Sequence, residues 1–272
     1  MWQAWRIPEG STDSTEAPCS RLSRCPSPRY AVAKLLVEWL LALVLLLLAA
    51  PVIAGLALLL KCTSAGPVCY SQIRLGLNGT PFRIFKLRTM THGCEATTGP
   101  VWSCAPDPRI TTVGRWLRDT HLDELPQFWN VLRGEMSLIG PRPERPELAA
   151  TIERWLPEFH DRLAVRPGIT GLAQVCLPSD SDLDTVRQKL AHDLQYIARR
   201  GLRIDFLILV ATLLHLVGAA ARVASRRLVL PIAPPLASEP PAVLESIGPS
   251  TSMRTLGHAQ SIADPPPRTM AA

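Results

Sequence analysis

Residues 39–60 read WLLALVLLLLAAPVIAGLALLL, a run without a single charged side chain. About 20 such residues suffice for a helix to cross the ~30 Å hydrocarbon layer of a bilayer. The run begins too far from the N-terminus and is too long for the core of a cleaved signal peptide. It therefore predicts a helix that stays in the protein and lies in lipid.

Pro51 lies in the middle of this run. Because proline removes a helix hydrogen bond and clashes with the preceding turn, a kink or a break is expected there. A kinked helix that spans the bilayer and a broken helix that enters and leaves by one face both fit. Basic residues flank the run on both sides: Arg21, Arg24, Arg29 and Lys34 before it, and Lys61, Arg74, Arg83, Lys86 and Arg88 after it. Since basic flanks stay in the cytoplasm, the re-entrant arrangement is favoured.

The rest of the chain divides into two tails and one domain. Residues 1–28 and 231–272 are rich in Ser, Thr and Pro and lack apolar periodicity, so both are predicted to be disordered. Between them we expect a re-entrant membrane helix over residues 29–61 and one cytoplasmic domain over residues 62–230.

This domain is predicted to be mainly α with a small β element. Residues 62–90 alternate turn signals with short apolar runs, which indicates two strands joined by a glycine-rich turn. Helical spacing of apolar residues follows in four segments: 112–118, 125–132, 147–162 and 183–199. A second apolar run, 206–221, is marginal as a span; an amphipathic helix in the headgroup layer is favoured, and a buried core helix stays open. The fold class is thus a monotopic membrane protein with interfacial helices.

Composition limits the partners. With 29 Lys+Arg against 23 Asp+Glu, the formal charge of +6 favours anionic partners such as phosphates and lipid headgroups. An aromatic content of 6% and the lack of a nucleic-acid-reading motif argue against DNA or RNA. The 7 cysteines show no zinc-site spacing and are odd in number, so free thiols in a reducing cytoplasm are expected.

The chemistry is concentrated in residues 121–143, HLDELPQFWNVLRGEMSLIGPRP. Asp123 and Glu124 precede Pro126, which is tolerated in the first turn of a helix, so the acidic pair is predicted at a helix N-terminus. An aspartate can attack phosphorus, a glutamate can hold a divalent cation, and Arg142 between two prolines can bind phosphate oxygens. An acidic helix cap without chemistry is the alternative for the pair taken alone.

Other cations and tight loops accompany this segment. The loop RPGITG at residues 166–171 offers Arg166 and main-chain donors of the kind that surround a phosphate. Lys86 and Arg88 lie in KLRTM, shortly after the membrane run. Each of these residues alone would be read as a solvated surface charge.

Five motifs occur in order after the proline-containing helix: SAGPVCYSQIRLG, FRIFKLRTM, DPRITTVGRWLR, LDELPQFWNVLRGEMSLIGPRP and RPGITGLAQV. In this set and order, residues 30–217 resemble the bacterial sugar transferase family, the monotopic phosphoglycosyl transferases. Without an additional N-terminal membrane bundle, the chain is similar to the small members of catalytic-domain-only type.

The resemblance implies transfer of a sugar 1-phosphate from a UDP-sugar to polyprenyl (undecaprenyl) phosphate, with release of UMP. It implies Asp123 as the nucleophile that carries a phosphosugar, Glu124 as the Mg²⁺ ligand and Arg142 as the phosphate clamp. Positions matching Lys86, Arg88, Arg166 and Asp205 lie near the site in the family. The resemblance thus implies that Lys86, Arg88 and Arg166 also bind substrate phosphate, and that Asp205, Pro51 and Glu38 support the site. The lipid acceptor implies work at the cytoplasmic face of the inner membrane, as the first membrane step of exopolysaccharide, capsule, O-antigen or glycoprotein glycan assembly.

Two positions depart from the family pattern within the membrane helix. Glu38 stands where the family usually has Asp, and Ala50 precedes Pro51 where the family usually has Ser. The first keeps the charge, whereas the second loses a hydroxyl that could bond freed backbone groups. A catalytically silent scaffold that binds nucleotide sugar, and a single-span metal-dependent phosphohydrolase, are the alternative functions. The sugar and the oligomeric state are not specified by any motif.

Overall fold

The computed structural model of the chain describes residues 27–94, 107–177 and 183–217. The predicted tails, residues 1–28 and 231–272, lie outside this part except for Ser27 and Pro28, as do residues 218–230 of the predicted domain. What is described is mainly helical with two small sheets, as the sequence predicts.

The membrane run forms helix α1, Pro28–Thr63, of 36 residues. Ser27 caps its first turn, because the Ser27 hydroxyl accepts a hydrogen bond from the Tyr30 N–H at 3.3 Å. The helix continues through Pro51, so the predicted break is wrong, whereas a kink at Pro51 stays a prediction. A proline removes a single N–H donor and its fixed φ is itself helical, so a long apolar helix can absorb it without a non-helical residue. If straight, α1 would measure ~54 Å.

Helix α1 packs against the rest of the chain near both of its ends. Toward the N-terminus, Ala42 is fully buried in the main hydrophobic cluster. Toward the C-terminus, Leu56 and Leu60 lie in a second cluster with Leu87 and Leu117. Most of the remaining α1 side chains are exposed apolar groups, and α1 is long and apolar enough to cross a membrane.

Strands β1, Cys69–Leu75, and β2, Pro81–Leu87, form the predicted antiparallel hairpin. The turn between them contains Asn78 and Gly79, both with positive φ, a conformation that asparagine and glycine tolerate best. Lys86 is the second-last residue of β2.

Six more helices follow: α2, Thr112–Asp119; α3, Gln127–Leu132; α4, Pro146–Trp155; α5, Leu172–Cys176; α6, Leu183–Arg199; and α7, Leu202–Val217. The predicted helix over residues 147–162 is wrong beyond Trp155. Pro157 cannot continue the α-helical hydrogen bonding, and Pro157–Ala164 is a 3₁₀ helix instead.

A second sheet consists of β3, Ser137–Ile139, paired in parallel with β4, Gly168–Thr170. This pairing places the segment GPRP beside the segment RPGITG, although the two are separate loops in the sequence.

Helix α7 has features of both a buried core helix and an interfacial helix, the two alternatives for the second apolar run. One face is buried in the main cluster through Ile208 and Ala211. The opposite face exposes Leu202, Phe206 and Leu213. The interior face thus belongs to the core, while the outer face has the apolar surface that an interfacial helix requires.

Candidate functional site

Lys86, Glu124 and Arg142 form an ion-pair triad. Lys86 Nζ lies 2.7 Å from Glu124 Oε1, and an Arg142 guanidinium nitrogen lies 2.6 Å from the same oxygen. The three residues come from β2, from the turn before α3 and from the loop after β3, so the fold unites residues far apart in the chain. Charge-assisted hydrogen bonds of this length hold all three side chains in one arrangement.

Asp123 and Glu124 lie in a short 3₁₀ turn, Leu122–Glu124, and are 6% and 9% exposed. His121 has a left-handed backbone, which ends the α2 segment and starts this turn. The predicted helix N-terminus is therefore corrected: the pair precedes α3 in a separate turn, and Pro126 is the residue before the helix. Since Pro126 already has helical angles, the turn leads directly into α3.

The two carboxylates differ electrostatically. Burial opposes ionisation of Glu124, but the charges of Arg142 and Lys86 outweigh it and hold the pKa of Glu124 well below its usual range. The Glu124 charge in turn raises the pKa of Arg142, although partial desolvation of the guanidinium opposes the rise. Glu124 and Arg142 are thus locked in their charged forms.

Asp123 makes no ion pair within the described part of the chain. Burial raises the pKa of the Asp123 carboxyl, and the charges of Lys86 and Arg142 counteract the rise in part. Arg118, on α2, is a further cation that lowers the pKa of Asp123, and its Nε donates to the Thr89 hydroxyl at 2.9 Å. A buried carboxylate with cations around it and no partner of its own is free to react with a phosphate.

The main chain around Arg142 is held by two other arginines. Arg74 donates to the Pro143 carbonyl at 3.1 Å, and Arg162 donates to the Arg142 carbonyl at 2.9 Å. Arg162 is itself fixed by Asp193 of α6, at 2.7 Å. These contacts hold the loop, so the Arg142 side chain, 46% exposed, can present its guanidinium toward Glu124 and solvent.

Glycines let the two loops approach closely. A Cβ on Gly168 would collide with the Gly140 nitrogen, and a Cβ on Gly171 with the Gly140 carbonyl oxygen. The Gly140 N–H also donates to the Thr170 carbonyl at 2.9 Å. The motifs GPRP and RPGITG are thus packed backbone against backbone.

Two predicted phosphate-binding arginines do not contact the triad. Arg88 is 5% exposed and donates to the Pro67 carbonyl and to Ser64, in the loop after α1. Arg166 donates from Nε to the Gly134 carbonyl at 3.0 Å. Their hydrogen bonds anchor loops, and their part in phosphate binding stays a prediction.

The supporting residues Glu38 and Asp205 belong to a buried network of ion pairs and hydrogen bonds near the N-terminal end of α1. Lys34 Nζ lies 2.7 Å from Glu38 and 3.1 Å from Asp205. Glu38 accepts hydrogen bonds from the Ser137 hydroxyl and the Ile139 N–H of β3. The network therefore attaches the membrane helix to the strand that leads to Arg142, whereas Pro51 lies further along α1.

Sequence reasoning assigned no role to Arg74, Arg118 or Arg162. Arg74 and Arg118 lie inside quoted motifs, but an arginine on a short strand or helix carries no signal of what it contacts. Arg162 lies in a segment predicted as a regular helix, where it reads as a surface charge. Their roles depend on tertiary contacts.

A Mg²⁺ ion at this site would need ligands from both the protein and the substrate. In the parts of the chain that the structure describes, no group of three or more His, Cys, Asp or Glu could hold a metal ion. Magnesium is commonly bound by one or two carboxylates together with substrate phosphates. Glu124 fits that pattern as a hard oxygen donor, with the remaining positions left to a diphosphate and water.

Comparisons with known proteins agree on one family. The bacterial sugar transferase family model matches residues 29–219. The chain is 41% identical over 191 residues to the UDP-N-acetylgalactosamine-undecaprenyl-phosphate N-acetylgalactosaminephosphotransferase of Aeromonas hydrophila, covering 70% of this chain but 45% of that protein.

It is also 41% identical over 191 residues to the UDP-glucose:undecaprenyl-phosphate glucose-1-phosphate transferase of Caulobacter vibrioides, covering 69% of this chain and 71% of that protein. A third relative is the exopolysaccharide production protein PSS of Rhizobium leguminosarum, 40% identical over 172 residues, or 61% of this chain and 86% of that protein.

Proposed function

Since this chain belongs to the bacterial sugar transferase family, we propose that it transfers a sugar 1-phosphate from a UDP-sugar to polyprenyl phosphate and releases UMP. The observation that carries the proposal is the unpaired buried Asp123 beside the triad of Lys86, Glu124 and Arg142. The names of the Aeromonas and Caulobacter relatives include undecaprenyl phosphate, which supports the acceptor.

The proposed reaction has two displacements at one phosphorus. In the first, an Asp123 carboxylate oxygen attacks the phosphorus that bears the sugar; the bond from that phosphorus to the bridging oxygen breaks, and UMP leaves. In the second, a phosphate oxygen of the lipid attacks the same phosphorus. The bond to Asp123 breaks, the carboxylate is restored, and a polyprenyl diphosphate sugar is formed.

The cations answer the main physical difficulty, which is the repulsion between a carboxylate and a diphosphate. Arg142 and Lys86 carry positive charge beside Asp123, so they can stabilise the charge that develops on the transferring phosphoryl group and on the leaving UMP. Glu124 would hold Mg²⁺, which supplies further neutralisation of the diphosphate when bound. The Lys86 and Arg142 contacts fix the direction of the Glu124 carboxylate for that purpose.

The packing of α1 supports a monotopic attachment. Its N-terminal part is joined to the catalytic domain by Glu38, and its C-terminal part by Leu60. A helix that crossed the bilayer would place these two parts on opposite sides, away from a domain that contacts both. We therefore infer that α1 bends at Pro51 and so enters and leaves by the cytoplasmic face of the inner membrane, and that residues 29–61 are the membrane part of the chain.

In this arrangement, residues 62–230 form the catalytic domain, with the exposed face of α7 at the headgroup level. The acceptor phosphate then reaches Asp123 without leaving the interface. The product is suited to the first membrane step in assembling an exopolysaccharide, capsule, O-antigen or glycoprotein glycan.

The test is release of UMP by purified protein with Mg²⁺, undecaprenyl phosphate and a panel of UDP-sugars. Asp123→Asn should abolish both UMP release and the labelled phosphosugar adduct, because an amide cannot form the intermediate. Asp119→Asn, an exposed substitution shortly before the turn, is the matched control and should keep wild-type activity.

Each rival has its own outcome in this assay. Normal turnover by Asp123→Asn would overturn the covalent mechanism. Binding of a UDP-sugar without UMP release would indicate the silent scaffold, and inorganic phosphate released without a lipid acceptor would indicate a phosphohydrolase.

A further inference from the structure

Asn130 of α3 is fully buried, and its side chain forms hydrogen bonds with the main chain of β2. It lies on α3, 0% exposed, and its carboxamide faces strand β2. The Oδ1 atom accepts from the Phe85 N–H at 3.2 Å, and Nδ2 donates to the Arg83 carbonyl at 2.8 Å. Nδ2 also donates to the Glu135 carboxylate at 2.7 Å. The Asn130 side chain thus bonds the main chain of β2 immediately before Lys86.

The Asn130 carboxamide makes the hydrogen bonds to β2 that a third strand of the sheet would make. In the described sheet, β2 pairs with β1 alone, and the main-chain groups of residues 83 and 85 point the same way because strand hydrogen bonding alternates. A third strand would offer these groups one acceptor and one donor. A carboxamide offers both on two separate atoms, whereas a hydroxyl carries both on one oxygen and an ionised carboxylate only accepts.

The geometry points to Asn130 as a positioning residue for the proposed transferase, one that holds Lys86 opposite Glu124. The triad needs two elements at a fixed separation, since Lys86 is on β2 and Glu124 is in the turn that leads into α3. Asn130 connects those two elements through its side chain. This inference rests on the proposed function and adds a residue that touches no substrate.

The alternative is that Asn130 stabilises the fold without a specific effect on Lys86. A double-substitution cycle separates the two, because residues that act through one interaction have non-additive effects. The variants are Asn130→Ala, Lys86→Met and the two together, and the measured quantity is the rate constant of phosphosugar adduct formation in single turnovers.

Asn130→Ala should lower this rate constant by about 10- to 100-fold, the cost of losing a positioning contact. In the Lys86→Met background the same substitution should change it by no more than about 2-fold. As a second signature, Asn130→Ala and Lys86→Met should displace the acid limb of the pH profile in the same direction, whereas a partly unfolded population lowers the rate at every pH.

Leu190→Ala is the matched control for destabilisation, because Leu190 is buried in a hydrophobic cluster that includes neither Asn130 nor a triad residue. It should lower the unfolding temperature without changing the pH profile. If Asn130→Ala does not fold, Asn130→Ser, which leaves room for a bridging water, replaces it in the cycle.

If Asn130→Ala lowers the rate constant by the same factor in the wild-type and Lys86→Met backgrounds, the role of Asn130 is overturned. The proposed transferase function is unaffected by that result. A wild-type chain without UMP release on any UDP-sugar would instead overturn the proposed function, and this inference with it.

Discussion

Two neighbouring carboxylates are tuned in opposite directions at this site. Burial raises the pKa of Asp123, whereas two cations hold the pKa of Glu124 well below its usual range. A charge held permanently on Glu124 suits a metal ligand. A less stabilised carboxylate on Asp123 suits a nucleophile, because its charge is not already neutralised by an ion pair.

The rate of adduct formation should therefore depend on pH through Asp123. The attacking form is ionised, so the rate falls as the pH decreases through the raised pKa of Asp123. In Lys86→Met one of the charges that lower this pKa is lost. The acid limb of the rate profile should then move to higher pH than in the wild type.

Arg83→Met is the control, since Arg83 is an exposed cation on the same strand. Its profile should match that of the wild type. An acid limb that stays in place in Lys86→Met would mean that Lys86 does not influence the nucleophile.

At the scale of elements, the contact between the loop after β3 and strand β4 sets where Arg142 lies. Gly168→Ala would force a Cβ into the Gly140 main chain, which cannot retreat as a flexible side chain would. We expect the free energy of unfolding to fall by more than about 2 kcal/mol, and transfer activity to fall with it as the Arg142 loop shifts.

Gly201→Ala provides the comparison, because the nearest atom to an added Cβ there is at 4.0 Å. Its unfolding free energy should change by no more than about 0.5 kcal/mol. Chemical denaturation in detergent measures both variants, and equal stability would contradict the close backbone packing.

At the scale of the whole molecule, the prediction concerns the sidedness of α1. Cys62 is exposed just before the end of the helix, and Arg29 is exposed near its start. One variant keeps Cys62 as its single cysteine and reports on the C-terminal end of α1. A second variant has Arg29→Cys as its single cysteine and reports on the N-terminal end. Both ends should resist an impermeant thiol reagent added to intact spheroplasts and react in inverted vesicles.

Labelling of one end from outside would indicate a spanning helix and would contradict the inferred monotopic attachment. A cysteine on a periplasmic protein serves as the positive control for the reagent.

Much of the local structure follows from the sequence. The apolar run predicts α1, the glycine-rich turn predicts the β1–β2 hairpin, and helical spacing predicts α2 and α6. The break at Pro51 was wrong because a proline weakens a helix without necessarily ending it. The helix predicted over residues 147–162 is too long, because Pro157 cannot continue the α-helix that ends at Trp155.

The candidate site was predicted in part. Asp123, Glu124 and Arg142 could be identified because acids and a proline-flanked arginine form a dense local pattern. The contact of Lys86 with Glu124 could not, since it depends on the hairpin packing against α3. Likewise nothing in the sequence indicates that Arg88 bonds the loop after α1 or that Asn130 bonds β2.

The sequence by itself determined the features that depend on neighbouring residues: a helix for lipid, a hairpin, a family pattern and an acidic pair with an arginine. Only the tertiary structure decided which carboxylate is paired and which is free, and that both ends of α1 contact one domain. The physical reason is that ionisation and packing depend on which groups lie within a few ångströms, and residues 86, 124 and 142 become neighbours only when the chain folds.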